Sequence, residues 1–142
     1  EAFNVTDELL KRLQNNPYAL IVVNYANCDM VGHTGVFDAA RKAVEIVDDC
    51  VGRAVARLLE IGARILVTAD HGNAEQMLDY TTGMVKTSHT LNEVECLYVA
   101  KDAPGAAMAP AGRLSDVAPT VLRLLGLPVP AAMTAQSLLG GK

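Results

Sequence analysis

The sequence predicts an α/β fold with a mostly parallel sheet. Three features predict it: two continuous apolar runs of strand length, residues 18–24 (YALIVVN) and 64–69 (RILVTA), and a long amphipathic helix between them. Runs without polar alternation suit strands buried on both faces, as in parallel sheets. Strand, helix and strand in that order form a βαβ unit, whose crossover is right-handed in nearly all cases. The loops leaving the two strands, residues 25–35 and 70–73, therefore fall at the carboxyl edge of the sheet, where open α/β folds bind ligands.

The elements follow in order along the chain. Thr6, followed by Asp7, Glu8 and the apolar Leu9, Leu10 and Leu13, reads as the N-cap of an amphipathic helix that ends near Asn15-Asn16-Pro17. After the first strand and a polar, glycine-containing loop, Val36, Ala40, Val44, Val47, Val51, Val55, Leu58 and Leu59 recur at helical spacing until Gly62 closes the helix. Residues 77–86 suit a hairpin turning at Thr82-Gly83, and residues 94–100 suit a further strand. The Ala-, Pro- and Gly-rich residues 101–112 read as a surface loop. Ser115 is expected to cap a short helix through Leu125, with Pro119 in its first turn and Gly126-Leu127-Pro128 as its stop. There is no internal repeat.

A chain of 142 residues suits one domain with a real core. Half of it is apolar, with four Tyr, two Phe and no Trp, so aliphatic side chains and Met must fill that core. A net charge of -4, with no basic cluster larger than Arg41-Lys42, offers no surface for nucleic acid. Cys28, Cys50 and Cys96 are odd in number and form no Cys-x-x-Cys pair, which predicts reduced thiols rather than a disulfide framework or thiolate zinc site. No apolar run approaches the roughly 18 residues of a membrane span and no signal-peptide pattern is present, so a soluble, cytoplasmic protein is expected. The sequence begins at Glu1 and runs at once into structured-looking sequence, as an excised piece of a longer chain would.

All three histidines fall in short polar segments: Asp29-Met30-Val31-Gly32-His33-Thr34-Gly35, Thr68-Ala69-Asp70-His71-Gly72-Asn73 and Thr87-Ser88-His89-Thr90. Any one of them alone would read as a packed or surface residue. Two have an aspartate next door or four residues earlier, and two segments leave strands of one βαβ unit, so the side chains can converge at one rim. Carboxylate and imidazole together suit Zn, Mn or Fe, whereas Mg or Ca would favour an all-oxygen set. Asp29 and His33 can reach one ion from a turn; adjacent Asp70 and His71 need a bent backbone, and Gly32 and Gly72 are expected to permit the bends.

The segments Asn24-Tyr25-Ala26-Asn27-Cys28-Asp29-Met30-Val31-Gly32-His33-Thr34-Gly35, Thr68-Ala69-Asp70-His71-Gly72-Asn73-Ala74-Glu75 and Thr87-Ser88-His89-Thr90 resemble, in order and spacing, cofactor-independent phosphoglycerate mutases of the alkaline phosphatase superfamily. The tail, Ala118-Pro119-Thr120 to Leu127-Pro128 with Met133-Thr134 and Ser137-Leu138-Leu139, continues the match, so the resemblance covers nearly the whole chain. It implies part of a three-layer, alkaline-phosphatase-like domain with helices on both faces of the sheet. It also implies interconversion of 3-phosphoglycerate and 2-phosphoglycerate in glycolysis through a phosphoserine. By the resemblance, Asp29, His33 and His89 bind one metal ion, and Asp70 and His71 bind a second. Manganese is the family's usual ion, Zn, Co or Fe also suit the donors, and no organic cofactor is implied.

The same resemblance implies what residues 1–142 do not supply. They match the C-terminal metal-binding part of the phosphatase domain. The family's N-terminal aspartate, its nucleophilic serine and its inserted transferase domain find no counterpart here, so no catalytic nucleophile is expected in this chain. The expected partners are phosphoglycerate and the rest of the polypeptide; alone, the chain should be inert and, with one side of an apolar sheet uncovered, prone to self-association. Ser88 and Thr90 are expected to orient His89 rather than attack substrate, Cys28 to be a buried thiol, and Lys86 and Arg113 to be solvated. Departures from the family pattern, at Glu93, Glu95, Ala132 and Ala135, spare the ligands. The alternatives are another superfamily enzyme sharing Asp70-His71-Gly72, such as a phosphopentomutase or phosphatase, and a free-standing metal-binding domain without catalysis.

Overall fold

The computed structural model describes residues 1–14 and 18–140. Helix α1 spans Ala2–Arg12 and buries Ala2, Thr6 and Leu9 on one face. This stripe, continued by the buried Leu13, has the period of a helix from its first residue, so the helix begins one turn before the expected cap. Thr6 is thus not an N-cap. Its hydroxyl is buried inside α1, donating to the Ala2 carbonyl at 3.0 Å and sharing a 2.8 Å hydrogen bond with the Tyr25 hydroxyl. The expected end at residues 15–17 lies outside the described residues.

Helix α2, Asn27–Gly32, occupies what the sequence suggested was loop. Helix α3 runs over Phe37–Glu60, as the periodicity predicts, and buries the small side chains Ala40, Ala43, Cys50 and Ala54. Small residues allow α1 close, and Leu9, Leu13 and Ala54 form a core cluster against which Ile21 and Leu58 pack. Gly62 ends the helix with φ of 79°, its N–H bonding Leu59 O at 3.1 Å while Ala63 N bonds Leu58 O at 2.9 Å. That paired arrangement satisfies carbonyls left over by the helix and calls for the left-handed conformation glycine tolerates best.

Strand β1, Ile65–Thr68, pairs antiparallel with β2, Cys96–Val99, in the register Ile65 to Val99 and Thr68 to Cys96. Both lie inside the predicted runs. The first expected strand does not form: residues 18–24 carry no strand assignment, and Leu20 and Val22 are 52% and 84% exposed. The sheet among the described residues is therefore two-stranded and antiparallel, not mostly parallel. An apolar run states that its side chains suit burial; a strand also needs a neighbour's N–H and C=O groups, and no described segment offers them to residues 18–24. The molecule mixes helices with a small sheet.

The hairpin turns where predicted, with Asp79 N to Met84 O and Lys86 N to Met77 O both 2.9 Å and Gly83 at φ 71°. Helix α4 spans Val117–Leu124 after a 3-10 turn at Leu114–Asp116. Asp116, not Ser115, stands at its cap position without a side-chain cap bond; the Asp116 carboxylate instead accepts from Arg113 N at 2.8 Å and from Gln136 N at 3.0 Å, tying the turn to the C-terminal segment. Those two backbone donors hold the Asp116 carboxyl below its usual range. A carboxyl depressed in the folded state adds stability above its unfolded value of about 3.9 and loses it as pH falls through the lower folded value. The Asp116→Asn variant is accordingly expected to lose less stability than the parent on acidification below about pH 4, read by thermal unfolding from pH 6 to 2.

The three cysteines are free thiols, as their spacing predicts. Cys50 is buried, while Cys28 is half-buried and burial pushes its thiol up. No helix among the described residues is long and apolar enough to cross a membrane.

Candidate metal centre

Asp29 sits in the first turn of α2 and His33 at its C-cap, four residues on, so one helical turn sets both side chains on the same side. His71 lies in the bend after β1, and His89 in the segment before β2. Antiparallel pairing of β1 with β2 carries the two segments together, and a bridge between Gly72 and Thr90, with Thr90 N to Gly72 O at 2.9 Å, extends it. Histidines far apart in sequence thereby meet around Asp29. Its Oδ1 lies 3.0 Å from His89 Nε2, 3.2 Å from His33 Nε2 and 4.0 Å from His71 Nδ1.

The imidazoles also touch one another. His33 Nε2 and His89 Nε2 are 3.1 Å apart, and the rings of His71 and His89 stack with centroids 3.6 Å apart. One oxygen of Asp29 and one nitrogen each of His71 and His89 all lie within 4.8 Å of one another. Asp70 stands apart, 86% exposed, with Oδ2 3.7 Å from His71 Nε2. Four of the five residues singled out in the sequence thus converge, and Asp70 reaches the cluster through His71 alone.

The donor chemistry fits a cation. His33 Nδ1 lies 2.6 Å from the Thr87 carbonyl, which can only accept, so Nδ1 carries a proton and Nε2 is the nitrogen left to face Asp29 and His89. An imidazole nitrogen about 3 Å from a carboxylate oxygen leaves room for one positive charge between them, a proton or a metal ion. His71 Nδ1 is buried without a hydrogen-bond partner. Donors about 2.0–2.2 Å from a shared tetrahedral ion lie roughly 3.3–3.6 Å apart, close to the spacings here. Burial raises the Asp29 carboxyl, but the Asn73 amide and then His33, His89 and His71 outweigh it, and the net position is below the usual carboxylate range. The centre therefore keeps its carboxylate ionised.

The supporting residues were only partly visible in the sequence. Glu75 accepts from Asn73 N at 2.6 Å, from Asn92 Nδ2 at 2.9 Å and from the buried Thr90 hydroxyl, so it joins the His71 bend to the His89 segment. Thr90 is thereby committed to joining the two segments through Glu75. The Asn73 amide donates to Asp29 Oδ1 at 2.7 Å. No role was legible for Asn73 or Glu75, although their place beside His71 was a signal. Gly32 and Gly72 serve differently from expectation: neither has positive φ, and each is needed because a Cβ would collide, at Gly32 with Asn73 Oδ1 (2.3 Å) and at Gly72 with Glu75 Oε1 and Thr90 Oγ1 (both 2.2 Å). Arg113 is exposed as expected, whereas Lys86 is half-buried.

A family model described as Metalloenzyme superfamily matches residues 1–129. The chain belongs to the metalloenzyme superfamily. Membership agrees with the donor set and implies a divalent ion. This metalloenzyme chain is 50% identical over 141 residues, 99% of its length, to the 2,3-bisphosphoglycerate-independent phosphoglycerate mutase of Clostridium tetani. It is 53% identical over 137 residues, 96% of its length, to that of Clostridium novyi, and 54% identical over 138 residues, 97% of its length, to phosphoglycerate mutase 1 of Methanosarcina acetivorans. The chain spans 28%, 27% and 26% of those relatives' lengths, respectively. The resemblance drawn from the motifs is borne out across nearly the whole metalloenzyme chain.

Proposed function

We propose that the chain is the C-terminal metal-holding part of a cytoplasmic phosphoglycerate mutase that interconverts 3-phosphoglycerate and 2-phosphoglycerate in glycolysis. The nucleophilic serine and the inserted transferase domain belong to the rest of its polypeptide. The observation that carries this reading is the Asp29 carboxylate facing three imidazoles, in a chain half identical to mutases of that name. In the intact protein the remaining strands complete an alkaline-phosphatase-like sheet, mostly parallel, and cover residues 18–24. Without them the exposed apolar run favours self-association.

Asp29, His33 and His89 hold one ion, and Asp70 and His71 contribute to a second, with manganese the leading candidate. The grouping of His71 Nδ1, 4.0 Å from Asp29 Oδ1, with Asp29 and His89 supports two ions sharing one cluster rather than two separate sites. When bound, such ions supply charge that offsets the phosphoryl oxygens and lowers the pKa of an attacking hydroxyl. The work of this chain is to keep a carboxylate ionised, turn His33 Nε2 toward it by binding Nδ1 to the Thr87 carbonyl, and hold three loops in register. We assign the attack to a serine elsewhere in the polypeptide, a reading supported by the Thr90 hydroxyl being bound to Glu75.

Activity distinguishes this reading from its rivals. The intact polypeptide with manganese is expected to turn over phosphoglycerate at least about a hundredfold more efficiently than phosphopentoses or simple phosphomonoesters, as kcat/KM; residues 1–142 alone should show no turnover. Preference for a phosphopentose would move the protein to a mutase of sugars. Metal binding without turnover of any phosphate ester by the intact polypeptide would leave a non-catalytic metal-binding domain.

A further inference from the structure

We infer that Asn73 is a positioning residue of the metal centre, its amide wedged between Gly32 and Asp29 so that Asp29 Oδ1 is turned toward the imidazoles. The inference rests on the proposed role of Asp29 as a ligand. Asn73 is 5% exposed. Its Nδ2 lies 2.7 Å from Asp29 Oδ1 and 3.4 Å from the Asp29 carbonyl, so it grips both ends of that residue, and the Asn73 backbone N–H is fixed by Glu75 at 2.6 Å.

The other end of the amide explains why the donor must face Asp29. Asn73 Oδ1 is buried without a hydrogen-bond partner and packs over Gly32, where a Cβ would stand 2.3 Å from Oδ1 and 2.9 Å from Cγ. Turning the amide over would bury an NH2 against a glycine and set a carbonyl oxygen against a carboxylate, leaving two polar groups mismatched. An aspartyl side chain spins easily about its last bond. A neutral donor on one lone pair of Oδ1 stops that rotation, adds no charge to compete for the ion, and leaves the remaining lone pair facing the nitrogens. The buried, unpartnered oxygen and the glycine beneath it are thus two halves of one device.

The test is divalent-metal titration of the intact polypeptide, using Mn(II) for affinity and Co(II) for its visible absorption, with melting of the metal-free protein recorded alongside. Asn73→Ala is expected to weaken affinity by about 10–100-fold and to alter the Co(II) spectrum, as loss of a ligand's outer hydrogen bond does. Gly32→Ala, which pushes the amide off Asp29 but retains it, is expected to give a similar loss. Because both act through one contact, the double variant should bind within about twofold of the weaker single variant rather than showing the product of the two losses. Gly32→Ala also serves alone if Asn73→Ala does not fold. Parent-like affinity and spectrum in the single variants, or losses that multiply, overturn the positioning role. Unchanged affinity in Asp29→Ala would instead overturn the ligand assignment beneath it.

Discussion

Replacing Asp29 with alanine is expected to weaken Mn(II) binding by more than about a hundredfold, beyond what loss of a merely supporting hydrogen bond costs. In the intact polypeptide it should lower kcat by about a thousandfold or more, corresponding to roughly 4 kcal/mol of lost charge stabilisation. The reason is that Asp29 is the hub: its Oδ1 lies within 4.0 Å of a nitrogen from each of His33, His71 and His89. Without the carboxylate, three imidazoles face one another with nothing anionic between them to offset the charge of a divalent ion. Isothermal titration and steady-state kinetics check the two parts. Parent-like affinity would remove Asp29 from the ligand set.

Gly72→Ala should be the most damaging of the glycine substitutions, costing about 3 kcal/mol or more as overpacking with broken hydrogen bonds. Its Cβ would stand 2.2 Å from both Glu75 Oε1 and Thr90 Oγ1. The Glu75 oxygens cannot swing clear cheaply, since Asn73 N, Asn92 Nδ2 and the Thr90 hydroxyl all hold them. The His71 bend and the His89 segment would part, so metal affinity should fall with stability. Gly52→Ala provides the opposite sign: in the middle of α3, with nothing within 4 Å of its Cβ, alanine should stabilise by about 0.5–1 kcal/mol. Chemical denaturation of both variants checks the contrast; equal effects would mean that the crowding at Gly72 is relieved by a small loop shift.

Local elements were legible because local chemistry sets them. The period of α3, the glycine stops at Gly62 and Gly126, the turn at Gly83 and the strands within 64–69 and 94–100 all follow from side chains near in sequence. The caps were less so. Thr6 has the chemistry of a cap residue, yet the buried stripe Ala2, Thr6 and Leu9 extends the helix past it, and Ser115 falls inside the 3-10 turn Leu114–Asp116, which leaves Asp116 at the start of α4. Pairing was the least legible, since apolar side chains mark residues 18–24 for burial without saying whose backbone completes them.

By itself the sequence singled out the side chains proposed to hold metal, because carboxylate and imidazole donors are concentrated in three polar segments of an otherwise aliphatic chain. It also placed Asp29 and His33 together, since four residues make one helical turn. Only the tertiary structure decided the rest: that His71 and His89 stack, that Asp70 stays at the rim, and that Asn73 and Glu75 hold the centre. Those relations depend on the antiparallel pairing of β1 with β2 and on close approaches at Gly32 and Gly72 that leave no room for a Cβ. Sequence spacing cannot express them, because contacts across 15 to 60 residues are fixed by packing of the whole chain.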